Sequence, residues 1–189
     1  MSGQYYNNLI KKVLKASYSD VWDVAVKEWV IFDCEEDESL MSACVCGKEN
    51  LRYLFTIKNM ITGNDLFPIG SSCIKKFGRE DLKEKATVQE SMFKLLHAVK
   101  DNKFISLTPE LFSRKLLLAL YEEGAFMPNQ YNNYDGENDY NFLLKMFNKR
   151  NKDNISVHQK KKISAIIMSS IRPFLVKKLK DKTNVWDNK

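Results

Sequence analysis

Four cysteines constrain this chain more than any other feature: Cys34, Cys44, Cys46 and Cys73, all in the first 73 of 189 residues. Cys44-Val45-Cys46-Gly47 offers two sulfurs from one tight turn, with a glycine that lets the backbone curl beneath them. Cys73 follows Gly70-Ser71-Ser72, the opening of a short helix, where unpaired amides favour a thiolate. Cys34 ends the β-branched and aromatic run Trp29 to Cys34, which reads as a strand. Four thiolates with none left over meet the tetrahedral demand of a closed zinc site. The expectation is therefore one structural zinc ion held by Cys34, Cys44, Cys46 and Cys73. The competing reading is four buried thiols packed as small apolar residues.

Compartment bears on that choice. Met1 to Ser17 carries lysines but neither an apolar stretch nor a small-residue cleavage site, so no secretion signal is expected there. No apolar run reaches the roughly 20 residues of a membrane-spanning helix. A cytoplasmic chain is expected, and in a reducing compartment clustered cysteines hold metal more often than disulfides.

Hydrophobic content of 44% supports a packed core. Ser19-Asp20 starts a short helix carrying Val21, Trp22, Ala25 and Trp29. Glu35 to Glu38 reads as a solvated connection. Leu51 to Lys58 alternates as a strand, Thr62-Gly63-Asn64 signals a turn, and Asp65 to Ile69 returns as its partner. Cys73 to Phe77 is a short helix closed by Gly78. After Gly78 the periodicity is helical. Met92, Leu95, Leu96 and Val99 share a face, and Thr108-Pro109-Glu110 opens a helix over 111–121. An Asn-, Tyr- and Gly-rich loop spans 127–137. Tyr140, Leu143, Leu144 and Phe147 form a stripe, and a last helix starts at Ser156, where Pro173 must kink or interrupt it. The fold class is α+β: a small zinc-stabilised unit over 1–80, then a mainly helical domain over 88–182.

Residues Trp29 to Phe77 resemble a zinc-binding module of uncharacterised proteins from tailed bacteriophages and large DNA viruses. The motifs that carry the resemblance are Trp29, Cys44-Val45-Cys46-Gly47, Ile57-Lys58-Asn59 with Gly63, and Ile69-Gly70-Ser71-Ser72-Cys73-Ile74-Lys75-Lys76-Phe77. Cys34 falls where such proteins often have an upstream cysteine. The segment Asp139 to Ile167 also looks like a helical companion of the module, so the resemblance covers about half the chain. It implies a viral or mobile-element origin and brings no activity with it.

Catalytic signatures do not emerge. His97 lies beside Leu95 and Leu96, and His158 stands among polar residues; both read as packed or solvated. Glycine-rich phosphate loops, HExxH and paired carboxylates are missing from the sequence, so an enzyme or a small-molecule substrate is not expected.

Charge is distributed unevenly. The net charge is +6, yet residues 1–87 hold 12 basic and 13 acidic side chains, while 145–189 hold 13 basic and 3 acidic. Lys145, Lys149, Arg150, Lys152, Lys160, Lys161, Lys162, Lys177 and Lys178 are the candidate phosphate contacts. Tyr131, Tyr134 and Tyr140 are candidate stacking platforms for unpaired bases. The bland alternative is a solvated helical face whose lysines favour the helix dipole. The reading that follows is a phage-type accessory protein that binds nucleic acid, RNA or single-stranded DNA rather than duplex, and counters host defence. Its alternative is an inhibitor that docks on a host protein or nucleoprotein complex.

Overall fold

The computed structural model describes residues 2–101 and 103–178. The end of the helical domain expected at 182 lies outside them. The chain divides into two compact units, Met1–Glu90 and Ser91–Lys189, and the fold is α+β. A three-stranded antiparallel sheet stands in the first unit, and the second half is mainly helical.

The first unit opens with a helix that sequence reading missed, α1 (Ser2–Ala16). Its apolar positions Leu9 and Val13 are four apart, on one face, and both are fully buried. A single turn, α2 (Trp22–Ala25), leads to β1 (Trp29–Glu36), which pairs with β2 (Tyr53–Asn59), which in turn pairs with β3 (Asp65–Ile69). Trp22 meets Phe77 edge-on at 5.5 Å between ring centroids. Two acidic residues expected in a loop, Glu35 and Glu36, instead finish β1 opposite Leu54 and Tyr53.

β1 contains a bulge. Ile31 pairs with Ile57 but Asp33 pairs with Thr56, so Phe32 is an extra residue, 68% exposed under the Lys58 ammonium. The slip keeps both Ile31 and Cys34, three positions apart, on the buried face. Strict alternation would have turned Asp33 inward. The outer edge of β1 is covered by side chains. Arg79 donates to the Trp29 carbonyl at 2.7 Å and Lys85 to that of Ile31 at 2.9 Å.

One buried carboxylate ties the entry segment to the β2–β3 turn. Glu28, 5% exposed, accepts from the amides of Tyr18 (2.8 Å) and Ser19 (2.9 Å) and from Asn59 Nδ2 (2.6 Å). Asn59, fully buried, accepts through Oδ1 from the amides of Ile61 and Thr62, both at 2.9 Å. The Asn59…Gly63 motif is therefore a turn nucleus. Burial alone would push the Glu28 carboxyl up; the bonds from Asn59, Tyr18 and Ser19 together outweigh it and hold the group below the ordinary glutamate range.

In the second unit, α4 (Glu80–Lys100), which enters from the first unit, is followed by α5 (Arg114–Glu122), α6 (Gly136–Asn148) and α7 (Val157–Ile166). α4 begins at Glu80, where the apolar stripe suggested 88. α5 is capped by Ser113, which accepts from the Leu116 amide, and Thr108-Pro109 forms only a turn ahead of it. α7 opens with a full capping box between Ser156 and Gln159. Pro173 does not break the last helix. A π-helical turn, Ile167–Ile171, widens the spiral just before it, and helix resumes over 172–178.

The 127–137 loop has a buried centre. Asn132, 1% exposed, accepts from the Asn129 amide and donates to the Met127 carbonyl and to Asp139 Oδ2 (2.9 Å). Gly136 is obligatory, since a Cβ there would lie 2.0 Å from the Phe126 carbonyl oxygen.

Replacing Glu28 by Gln sets an amide donor against backbone donors. We expect a loss of roughly 1.5–3 kcal/mol, the range for hydrogen bonds to a charged group, with faster hydrogen exchange at Tyr18, Ser19, Ile61 and Thr62. The wild-type contribution should be complete above the unfolded glutamate pKa, about 4.3, and vanish as pH falls through the lower folded value. Urea unfolding across that window, with exchange mapping, checks both.

Candidate metal centre

Three of the four cysteines converge. The sulfurs of Cys44, Cys46 and Cys73 all lie within 4.8 Å of one another, and each residue is at most 4% exposed. Cys73 Sγ stands 3.7 Å from Cys44 Sγ and 3.5 Å from Cys46 Sγ.

Local backbone chemistry builds the cluster. The Asp37 carboxylate accepts from the amides of Ser39, Met41 and Ser42 at 2.9–3.0 Å, which curls the acidic connection back toward the sheet. Hydrogen bonds from the Ser39 and Ser42 side chains, ahead of burial, hold Asp37 well below the usual carboxylate range. Ser42 then bridges Leu51, and the Cys44-to-Gly47 turn follows. Gly47 donates to the Cys44 carbonyl at 2.7 Å with φ +93°, a conformation that suits glycine. The Val45 amide binds the Pro68 carbonyl at 2.8 Å and so ties the turn to β3. On the other side Asn8 of α1 holds the Cys46 carbonyl at 3.1 Å. Cys73 sits in the short helix α3 (Ser71–Ile74), whose start lies next to β3. The Gly70 amide reaches Cys44 Sγ at 3.4 Å.

Cys34 is not brought into this set. It is buried on the inner face of β1 opposite Phe55, with its Sγ 3.8 Å from the Glu35 carbonyl, and it does not join the 4.8 Å group. Its strand position follows the cross-strand register, whereas the other three cysteines ride on turns that curl toward a common point.

Without a cation the cluster shares protons unequally. The hydrogen bond from Cys73, aided by amides including that of Gly70, outweighs burial and lowers Cys44 to about 5. The same bond, with burial and the neighbouring charge of Cys44, pushes the Cys73 thiol up. Three sulfurs at this spacing form a donor set for a thiophilic divalent metal, consistent with a structural metal site.

The basic candidates separate by role. Lys149 Nζ donates to the Asn154 carbonyl (2.8 Å) and to Gln159 Oε1 (3.2 Å). Lys152 Nζ caps the end of α6 on the carbonyls of Met146 (3.0 Å) and Phe147 (2.5 Å), and Lys178 pairs with Glu123. Lys145, Arg150, Lys160 and Lys177 are exposed. Lys161 and Lys162 line a groove of about 620 Å³ with Met127, Asn129, Tyr131 and Asp139. Tyr131 and Tyr134 are 82% and 73% exposed. Tyr140 stacks on Tyr121 at 4.8 Å and 17°, so its ring face is already occupied.

Compared with models of protein families, with curated proteins and with solved structures, the chain matches none.

Metal uptake should release protons, because Cys73 holds its hydrogen until a cation displaces it. Affinity should then rise with pH. As pH falls through about 5, Cys44 regains its proton as well, and the pH dependence should steepen by one proton. Cobalt(II) titrations followed by thiolate charge-transfer absorbance from pH 4.5 to 8 measure this; a pH-independent affinity would exclude the three-thiol site.

Proposed function

We propose that this protein is a zinc-stabilised nucleic-acid-binding protein, acting by binding and not by catalysis, whose helical unit takes a single strand of RNA or DNA. The observation that carries the reading is the groove that unites Tyr131 with Lys161 and Lys162. An exposed ring and two lysines lining one groove match what an unpaired strand offers, a base face next to phosphate. The Lys162 ammonium, which rests over the Phe142 ring at 4.7 Å, would swing to meet it. Asn132 and Asp139 hold the loop that carries Tyr131, so the platform is braced from beneath. Zinc suits the first unit because three buried thiolates favour a soft, redox-inert divalent ion. Such a centre contributes folding free energy there. Together with the motif resemblance, these features fit a cytoplasmic accessory protein of a phage that meets a host defence or nucleic-acid-processing complex.

A second reading, docking on a host protein, is favoured by one observation in the first unit. A cleft of about 780 Å³ is lined by Tyr18, Val24, Met60 and Ile61, each at least 50% exposed, together with Ser19, Asp20, Lys27 and Glu28. Apolar side chains gathered in this way are the usual material of a protein interface.

Two variants test the primary reading. Lys161→Glu with Lys162→Glu should weaken binding to a single-stranded oligonucleotide. The slope of log affinity against log salt should flatten by roughly 0.7 for each phosphate no longer neutralised. Tyr131→Ala should weaken binding by about 1–3 kcal/mol per stacked base while leaving the salt slope in place. Fluorescence anisotropy at several salt concentrations reads both. Wild type that binds no oligonucleotide, yet captures a host protein from nuclease-treated lysate, would give the function to the apolar cleft. For the metal, about one zinc per chain is expected, and Cys46→Ser should destabilise the first unit while the helical unit stays folded.

A further inference from the structure

We infer that the metal centre is three-coordinate from the protein and open at its fourth position, where an exchangeable solvent molecule completes the tetrahedron. This rests on the zinc reading and goes beyond it. A closed structural site would need a fourth side chain, and among the described residues Cys44, Cys46 and Cys73 form the sulfur group alone. Cys34 is held in β1 opposite Phe55 by the ladder of the sheet. The pairing fixes its backbone there, and its sulfur stands outside the 4.8 Å group.

What adjoins the sulfurs is a cleft. A cavity of about 120 Å³ is lined by Cys44 and Cys73 together with Lys48, Tyr53, Ser71 and Ser72. At about 30 Å³ per water the space holds a few solvent molecules, and its walls supply the polar partners that ordered water needs. Cys46 is not among the lining residues, so the approach runs between the other two sulfurs. Charge points the same way. A divalent ion with three thiolates carries one net negative charge, and neutral water adds nothing to it in a buried site, whereas a fourth thiolate would. Glu90, the carboxylate on the cleft wall, stands outside the 4.8 Å group.

An open position makes the metal reachable by small ligands, unlike an ion sealed by four cysteines. The site would then exchange ligands at its mouth while its three thiolates keep holding the turn and α3 together.

The test uses the full chain purified with zinc and the same chain loaded with cobalt(II). X-ray absorption at the zinc edge should show three sulfurs near 2.3 Å and one lighter atom at about 2.0–2.2 Å. In the cobalt protein, 2-mercaptoethanol should replace solvent and raise the thiolate charge-transfer absorbance by roughly a third, the ratio of four sulfur ligands to three. Cys34→Ser and Glu90→Gln should leave both the spectrum and that response unchanged. Four sulfurs in the wild type, falling to three in Cys34→Ser, would overturn the inference, and so would a cobalt spectrum altered by Glu90→Gln or indifferent to the added thiol. A chain that binds neither zinc nor cobalt would instead remove the zinc reading itself.

Discussion

Three sulfurs packed within 4.8 Å of one another are an electrostatic problem that the first unit must solve. Ionised together in a buried site they repel strongly; protonated together they keep only weak neutral S–H···S bonds and forgo the stronger bond to a thiolate. Without metal the compromise is a shared proton, with Cys44 depressed and Cys73 raised. A divalent cation removes the conflict outright. Structural zinc contributes about 10–16 kcal/mol in small peptides at neutral pH, against about 1 kcal/mol for a helix cap. The turn at Gly47, the tether from Val45 to Pro68 and the start of α3 all converge on this point. Three separate local contacts of the unit thus meet at its buried sulfurs.

Buried polar side chains do the rest of the positioning, and in each unit one pair dominates. Glu28 and Asn59 link the entry to β1 with the β2–β3 turn, while Asn132 and Asp139 give the 127–137 loop a fixed shape. Both pairs are nearly fully satisfied by local amides, so they specify conformation without the cost of stranded polar groups. The candidate groove of the second unit depends on this, because Tyr131 stands on the loop that Asn132 braces.

The basic half is likewise less uniform than its composition. A lysine bound to the final carbonyls of a helix, as Lys152 is, stabilises the helix end and is a poor candidate for phosphate. Lys161 and Lys162 line a groove together with Tyr131. Position relative to a concave surface separates candidates from lysines engaged elsewhere, and net charge carries no such information.

Periodicity, turn residues and spacing determined much of this protein without help. The alternation of Tyr53, Phe55 and Ile57, the Asn59-to-Gly63 turn and the Cys-Val-Cys-Gly knuckle are all local, and each appears in the structure where the residues indicate. The stripe expected on α6 does not, since its buried face is Gly136, Asp139, Leu143 and Met146, with Tyr140, Leu144 and Phe147 only half-buried. α1 was equally local, in the spacing of Leu9 and Val13, and went unread beneath its polar and lysine-rich surroundings. Tertiary structure alone decided which cysteines meet. Cys34 looked equivalent to the others in composition, but the bulge at Phe32 and the pairing opposite Phe55 hold it to the face of the sheet. It decided, too, that Tyr140 would stack on Tyr121 while Tyr131 stayed bare. The physical reason is common to both cases. Spacing along a chain encodes contacts a few residues apart, whereas a ligand set or a stacking face is fixed by strand register and packing between segments distant in sequence.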